Sequence, residues 1–324
     1  MANSRNSKYN PADSGVALVT VLVIVAIVSA IAVDLSMKQQ LWLSQAQNLK
    51  DRAQADWVVR GAQQYAALIL DRDKRESQVD DLNETWAHTL PPLQAEGGKV
   101  SASILDLQGR FNLNSLYRNG KYNPEYGAVF RRLLVNSGID ANVQDALLDW
   151  MDNDNQARSL GAEDSYYQNL IPGYRAANQP MQSARELLLI KGFTTDVVNK
   201  LDTVVVALPE STAININTAP VEVLAALFDN MPVAVAKQII EYRQAHPFHD
   251  ISELKKAIPG SYQMPKNSLL TTSSEYFLVR SSVQFGHYSQ HTLAYLHRPR
   301  DASPSSYYLH DRPLIQIREE KSGG

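Results

Sequence analysis

An uncharged apolar run from residue 16 to residue 33, VALVTVLVIVAIVSAIAV, constrains this chain more than any other feature. At about 1.5 Å per residue, and extended by Leu35 and Met37, it is long enough to cross a bilayer as a helix. The leader before it carries Arg5 and Lys8, contains Pro11 and stops at Gly15. Positive charge on the N-terminal side keeps the leader cytoplasmic and places the rest of the chain across the membrane. The expected topology is a single pass, with segment 16–36 in the bilayer and the bulk of the chain beyond it.

Three fates of this segment are distinguishable. A plain anchor keeps its N-terminus. A secretory signal would be cut before Val33, where Ala30 and Ala32 form an A-x-A pattern, although the run is longer than a usual signal-peptide core. The abrupt passage from a basic leader through Gly15 to an apolar helix resembles a type IV prepilin cleavage site, which leaves Val16 as the mature terminus. Sequencing the mature N-terminus separates the three.

Past the membrane, Trp42, Ala46, Leu49, Ala53 and Trp57 recur at helical spacing among polar residues, and Val58, Ala62, Tyr65 and Ile69 continue the stripe. This predicts one helix from Val16 to about Leu70, ending near Asp71–Arg75, with its stripe packed as core on a soluble domain. Gly61 costs about 1 kcal/mol without breaking the helix. Pro91, Pro92, Gly97 and Gly98 mark loops. Strand alternation follows at Lys99–Leu107 and returns only at Tyr276–Phe285 and Ser289–Leu296, a hairpin turning at Gly286, with Leu314–Ile317 as a further edge strand. The expected fold class is α+β. A long N-terminal helix and antiparallel sheet (37–110 plus 271–318) are interrupted by an all-α insertion at 111–270, and a polar tail covers 319–324.

The insertion reads as two related units, about 111–200 and 212–270. One opens Phe111-Asn112-Leu113-Asn114, the other Ile214-Asn215-Ile216-Asn217, and each continues into two helices. The second resembles a helix-hairpin-helix or SAM-like module. Its hairpin, Phe228-Asp229-Asn230-Met231-Pro232, lacks the glycines whose bare N–H groups would approach a phosphate, Pro232 removes a donor, and Asp229 repels phosphate. With a net charge of −3 as well, no nucleic-acid partner is expected.

The first unit is interrupted by an acidic stretch, Asp149 to Tyr167, in which Asp149, Asp152, Asp154, Glu163 and Asp164 have only Arg158 to balance them. A hard cation with oxygen ligands would relieve the repulsion. It is not an EF-hand, because Ala157 stands where glycine is needed. Spacing alone leaves a solvated acidic loop and a metal site equally open, and Asp149 reads as an exposed helix residue or, alternatively, a ligand. No catalytic pattern is present, His246 and His249 read as surface residues, Tyr307 and Tyr308 as packing residues, and the absence of cysteine excludes thiolate chemistry and disulfides.

Taken jointly, Gly15 with Val16-Ala17-Leu18-Val19-Thr20, Gly109-Arg110-Phe111-Asn112-Leu113-Asn114, the Asp149–Tyr167 loop, Tyr174-Arg175-Ala176-Ala177-Asn178 and Ile214–Ala219 resemble the minor pseudopilin K family of the bacterial type II secretion system. The resemblance implies cleavage after Gly15 by prepilin peptidase, methylation at Val16, and calcium held by Asp152, Asp154, Glu163 and Asp164, with Asp149 in doubt. It implies a non-enzymatic subunit at the pseudopilus tip, partnered by minor pseudopilins I and J, pseudopilin H and the major pseudopilin G, in the inner membrane with its bulk in the periplasm. The secretin and exported proteins are further candidate partners. Pilins generally carry a glutamate at the fifth mature position, and Thr20 stands there, as suits a subunit with no neighbour above it. The alternative is a membrane-anchored helix-hairpin-helix nucleic-acid-binding protein related to competence proteins.

Overall fold

The computed structural model describes residues 11–88, 93–95, 98–260, 262–286, 288–299 and 308–310. The expected strand at 314–317, the tail, Tyr307, Pro91, Pro92, Gly97 and the first ten leader residues lie outside the described residues. Helix α1, Pro11–Glu76, begins before Gly15 and ends six residues beyond Leu70. Proline opens a helix well because its missing N–H is unused there. Lys74 and Arg75 in the last turn complement the helix dipole. Among the described residues it is the one helix long and apolar enough to cross a membrane, with mean hydropathy 3.1 over its best window.

Strands β1 (Leu93–Ala95) and β2 (Gly98–Asp106) follow α1. The chain then makes β3 (Phe111–Asn112), a small ribbon of β4 (Tyr117–Arg118) and β5 (Lys121–Tyr122), and helices α2 (Pro124–Asn136), α3 (Val143–Met151), α4 (Asp164–Tyr167) and α5 (Thr195–Leu201). After β6 (Val205–Val206) and β7 (Ile214–Asn215) come α6 (Val221–Leu227), α7 (Val233–Ala245), α8 (Leu254–Ala257) and β8 (Leu270–Thr271). The hairpin β9 (Tyr276–Phe285) and β10 (Tyr288–His297) precedes β11 (Tyr308–His310). The antiparallel sheet runs β1-β2-β9-β10-β11. Phe285 pairs with Tyr288 across a two-residue turn, and Gly286 supplies the positive φ (53°) such turns need.

Strands β2 and β9 are paired neighbours, with Asp106 opposite Phe277, so everything between them leaves and re-enters at one end of the sheet. That end is the membrane-distal one. Leu70 and Ala66, late in α1, pack with Ile104, Phe277 and Leu296, whereas Ala55 and Val59, nearer the membrane, pack with Val100, Val283 and Phe285. Val206 and Leu208 return from the insertion to cover Leu105, Leu278 and Leu293 on the sheet face opposite α1.

Only part of the expected stripe packs: Val58, Ala62 and Ile69 lie against the sheet with Ala55, Val59, Ala66 and Leu70, whereas Trp42 is 73% exposed, Leu49 69%, Trp57 75% and Tyr65 51%. Small alanines let the helix axis approach the strands closely, which a tryptophan row would prevent. From Val16 to Lys50 no residue of α1 is covered by its own domain.

Within the insertion the two openings are built alike. Asn114 accepts from Met181 N and donates to Met181 O (2.8 and 2.9 Å), and Asn217 does the same with Phe248 N and O (2.9 Å each). Short parallel pairs β3·β6 and β7·β8 close the two halves. One continuous core joins them, from Phe111, Phe130 and Leu147 to Leu224, Ile239 and Phe248.

Candidate functional site

The acidic loop leaves α3 at its C-terminus and passes Gly161 before α4. Carboxylate oxygens of Asp152, Asp154 and Glu163 lie within 4.8 Å of one another. Glu163 is only 2% exposed, yet neither of its oxygens, nor Oδ1 of Asp152, meets a hydrogen-bond donor. Unpaired buried carboxylate oxygens are costly. Burial, followed by the charges of Asp149, Asp152, Asp154 and Asp164, pushes the Glu163 carboxyl up to about 7. Three carboxylates converge here with Arg158 on one oxygen of Asp152 alone, and their remaining oxygens make the donor set of a hard divalent ion. Carbonyls and water would complete the six to eight ligands calcium takes.

The other two acids are placed differently. Asp164 Oδ1 accepts from Ala176 N (2.9 Å) and its Oδ2 lies 3.8 Å from Arg175 Nε. Asp149 is not an exposed helix residue: it is fully buried, its Oδ1 meets Arg158 Nη1 at 2.5 Å and its Oδ2 accepts from Arg158 N at 3.0 Å. Arg158 Nη1 also reaches Asp152 Oδ2 (2.6 Å), and Nη2 donates to Tyr117 Oη (3.0 Å). Gly161 allows this packing, since a Cβ there would fall 1.8 Å from Asp149 Oδ2. Behind the loop, Tyr167 packs edge-on to Trp150 and stacks on Tyr174.

Sequence reasoning missed a second polar centre, at the point where the insertion meets the sheet. Asp106, at the end of β2, accepts from Thr218 Oγ1 (2.5 Å), Ser274 Oγ (2.7 Å) and Asn215 Nδ2 (3.0 Å), tying the sheet to β7 and to the returning strand. Beside it, buried Arg298 donates to Asp80 Oδ1 (2.5 Å), Asp73 Oδ2 (3.2 Å) and the carbonyls of Leu70 and Ser274 (2.9 Å each). Burial, then the Glu84 and Asp80 charges, pushes Asp73 up to about 7. Asp73, Asp80 and Glu84 also converge, but there the guanidinium supplies the positive charge.

The α6–α7 hairpin carries no glycine. Phe228 and Met231 are buried, and Arg132 donates to Ala226 O (2.7 Å) and to Asp229 Oδ1 (2.6 Å). His246 and His249 are exposed. In the membrane segment the Thr20 hydroxyl donates to Val16 O at 2.8 Å, so it is satisfied within its own helix.

A membrane-length helix laid across an antiparallel sheet, opened at its distal end by a helical insertion, defines a membrane-anchored, pilin-like protein. The chain matches the family model for type II secretion system protein K over residues 109–210 and 214–272. It is 35% identical to type II secretion system protein K of Pseudomonas aeruginosa, over 89% of this chain and 90% of that one, and 31% identical to the Klebsiella pneumoniae protein, over 88% and 93%. The chain belongs to the type II secretion system protein K family and is a minor pseudopilin of that system. Its fold is similar to a chain in the crystal structure of the GspK–GspI–GspJ complex from the enterotoxigenic Escherichia coli type 2 secretion system. The TM-score is 0.67 at 23% identity, over 82% of this chain and 97% of that one.

Proposed function

We propose that this protein caps the periplasmic pseudopilus of the type II secretion system, as a structural subunit that initiates assembly for export of folded proteins across the outer membrane. The observation that carries the reading is the uncovered face of α1. Trp42, Leu49 and Trp57 extend the apolar surface of the membrane segment upward, on the side away from the protein's own sheet. An apolar row of this length on a soluble surface marks a protein contact. Its occupants would be the N-terminal helices of minor pseudopilins I and J, with H and the major pseudopilin G below; the similar fold belongs to a chain of a complex that contains GspI and GspJ.

The insertion sits at the membrane-distal end, where it would obstruct a subunit arriving above and would face the secretin or an exported protein. Thr20 needs no partner beyond its own helix, which suits a last subunit. Prepilin peptidase would cut after Gly15 and leave a methylated Val16, with the chain held in the inner membrane. Calcium would be held by Asp152, Asp154 and Glu163. The orphaned oxygens of Glu163 support this ligand set, and Asp164 would support it from the adjoining turn. Bound there, the ion would neutralise the loop and pin α4 against Trp150.

Co-expression of the full chain with I and J in membranes, followed by detergent extraction and pull-down on this chain, tests the assembly reading. Stoichiometric recovery of both is expected. Recovery of neither would overturn it.

A further inference from the structure

We propose that α1 is hinged at Gly61–Gln63, so that its membrane-side half swings off the sheet while its upper half stays docked. The apolar contact between α1 and the sheet is interrupted at this level. Below it Ala55 and Val59 pack with Val283 and Phe285, and above it Ala66 and Leu70 pack with Phe277 and Val279. Between Val279 and Val283 the strand turns Ser281 toward the helix, because alternate residues of a strand share a face. Ser281 pairs across the sheet with Thr292, and both hydroxyls are buried with no hydrogen-bond partner among the described residues. The helix brings Gln63 to the same level, only 6% exposed, and neither hydroxyl bonds to it. Three buried polar side chains that do not satisfy one another weaken the contact they interrupt.

The two halves are held unequally. Above the layer, Arg298 donates to Leu70 O (2.9 Å) and Asp73 Oδ2 (3.2 Å), and Lys74 Nζ donates to Pro299 O (2.7 Å). Below it, among the described residues, no hydrogen bond or ion pair crosses from the helix to the sheet. Buried Asp51 accepts from Gln47 (2.8 Å), one turn away on its own helix. Gly61 adds a weak point in the backbone at the same level. Nothing lies within 4 Å of where its Cβ would stand, so packing does not call for glycine there, and a helix-interior glycine lowers helix stability. A kink of about 20° at this point sweeps Leu49, about 18 Å down the axis, through about 6 Å. The membrane segment can thereby follow a tilt that the sheet and the insertion do not share.

The chain has no native cysteine, so spin labels can be placed in chosen pairs on the full chain in lipid nanodiscs. Pulsed electron double resonance on Leu49→Cys with Gln284→Cys, both exposed, reads the lower half, and on Leu68→Cys with Arg280→Cys, also exposed, the upper half. The lower distance distribution should be wider than the upper one by about 6 Å. Adding Gly61→Ala, or Gln63→Leu together with Thr292→Val, should narrow the lower distribution and leave the upper one as it was. Equal widths for the two pairs without these changes, or a lower distribution that Gly61→Ala leaves as wide, would overturn the proposal. Gly61→Ala meets open space, so its reading decides if the Gln63 and Thr292 changes do not fold.

Discussion

Removing calcium should make the stability of this protein depend on pH through Glu163, and the sign and size follow from its surroundings. In the ion-free protein the Glu163 carboxyl is raised from 4.5 to about 7 by burial and four neighbouring acids. The folded protein therefore keeps a proton that the unfolded chain releases between those values. Stability from this group falls as pH rises through that window, and the full cost is present above about pH 7. A shift of that size corresponds to about 3 kcal/mol. Calcium replaces the proton, so its stabilising effect should be largest near pH 8 and shrink toward pH 5, where protons compete. For a domain the size of the insertion, about 3 kcal/mol is a rise in Tm on the order of 10 °C. The assay is thermal melting of the full chain in detergent with calcium or chelator at pH 5, 6.5 and 8. Glu163→Gln should melt with a weaker pH dependence than the wild type without calcium, the remainder coming from groups such as Asp73, and should lose the calcium increment. A calcium increment that is absent, or equal at pH 5 and pH 8, would refute the reasoning.

Other outcomes follow from the packing. Leu70→Ala, at a fully buried position against the sheet, should cost about 2–5 kcal/mol in denaturant unfolding, whereas Trp57→Ala, at a 75% exposed one, should stay within about 0.5 kcal/mol. Gly109→Ala would set a Cβ 2.6 Å from Thr218 Oγ1 and 2.8 Å from its backbone carbon, and the same measurement should show a loss of about 1–3 kcal/mol. Arg298→Met strands Asp80 and Asp73 and should cost about 3–5 kcal/mol. That loss should be smaller at pH 5 than at pH 8, because a protonated Asp73 needs no counter-charge.

Much of this architecture could be read from residue order because the signals are local. The apolar run, the alternation of β9 and β10 and the glycine between them each depend on a few neighbouring residues. So do the repeated Asn-x-Asn openings, where each second asparagine bonds the backbone of a residue just before a short helical turn. What could not be read depends on which surface faces which. Helical spacing showed an apolar stripe through Trp42 and Trp57 but not what covers it, and the buried centre of the face that packs on the sheet is the inconspicuous row of Ala55, Val59 and Ala66. Asp149 looked exposed because a lone acid is rarely buried. Its partner, nine residues on, reaches it only after the loop folds back over Gly161. The Asp106 and Arg298 centres join residues more than a hundred positions apart, and no spacing rule connects them.

The central claim is that the bare face of α1 is the assembly surface, and the absence of native cysteine makes single-cysteine crosslinking a direct test. Cysteine placed at Leu49 or Trp57 in the full chain, co-expressed in membranes with cysteine-scanned helices of I and J, should give disulfide-linked pairs at helical spacing. Cysteine at Val59 or Ala66, which face the protein's own sheet, should give none. Crosslinks at none of these positions, with I and J still recovered alongside the chain, would contradict the account.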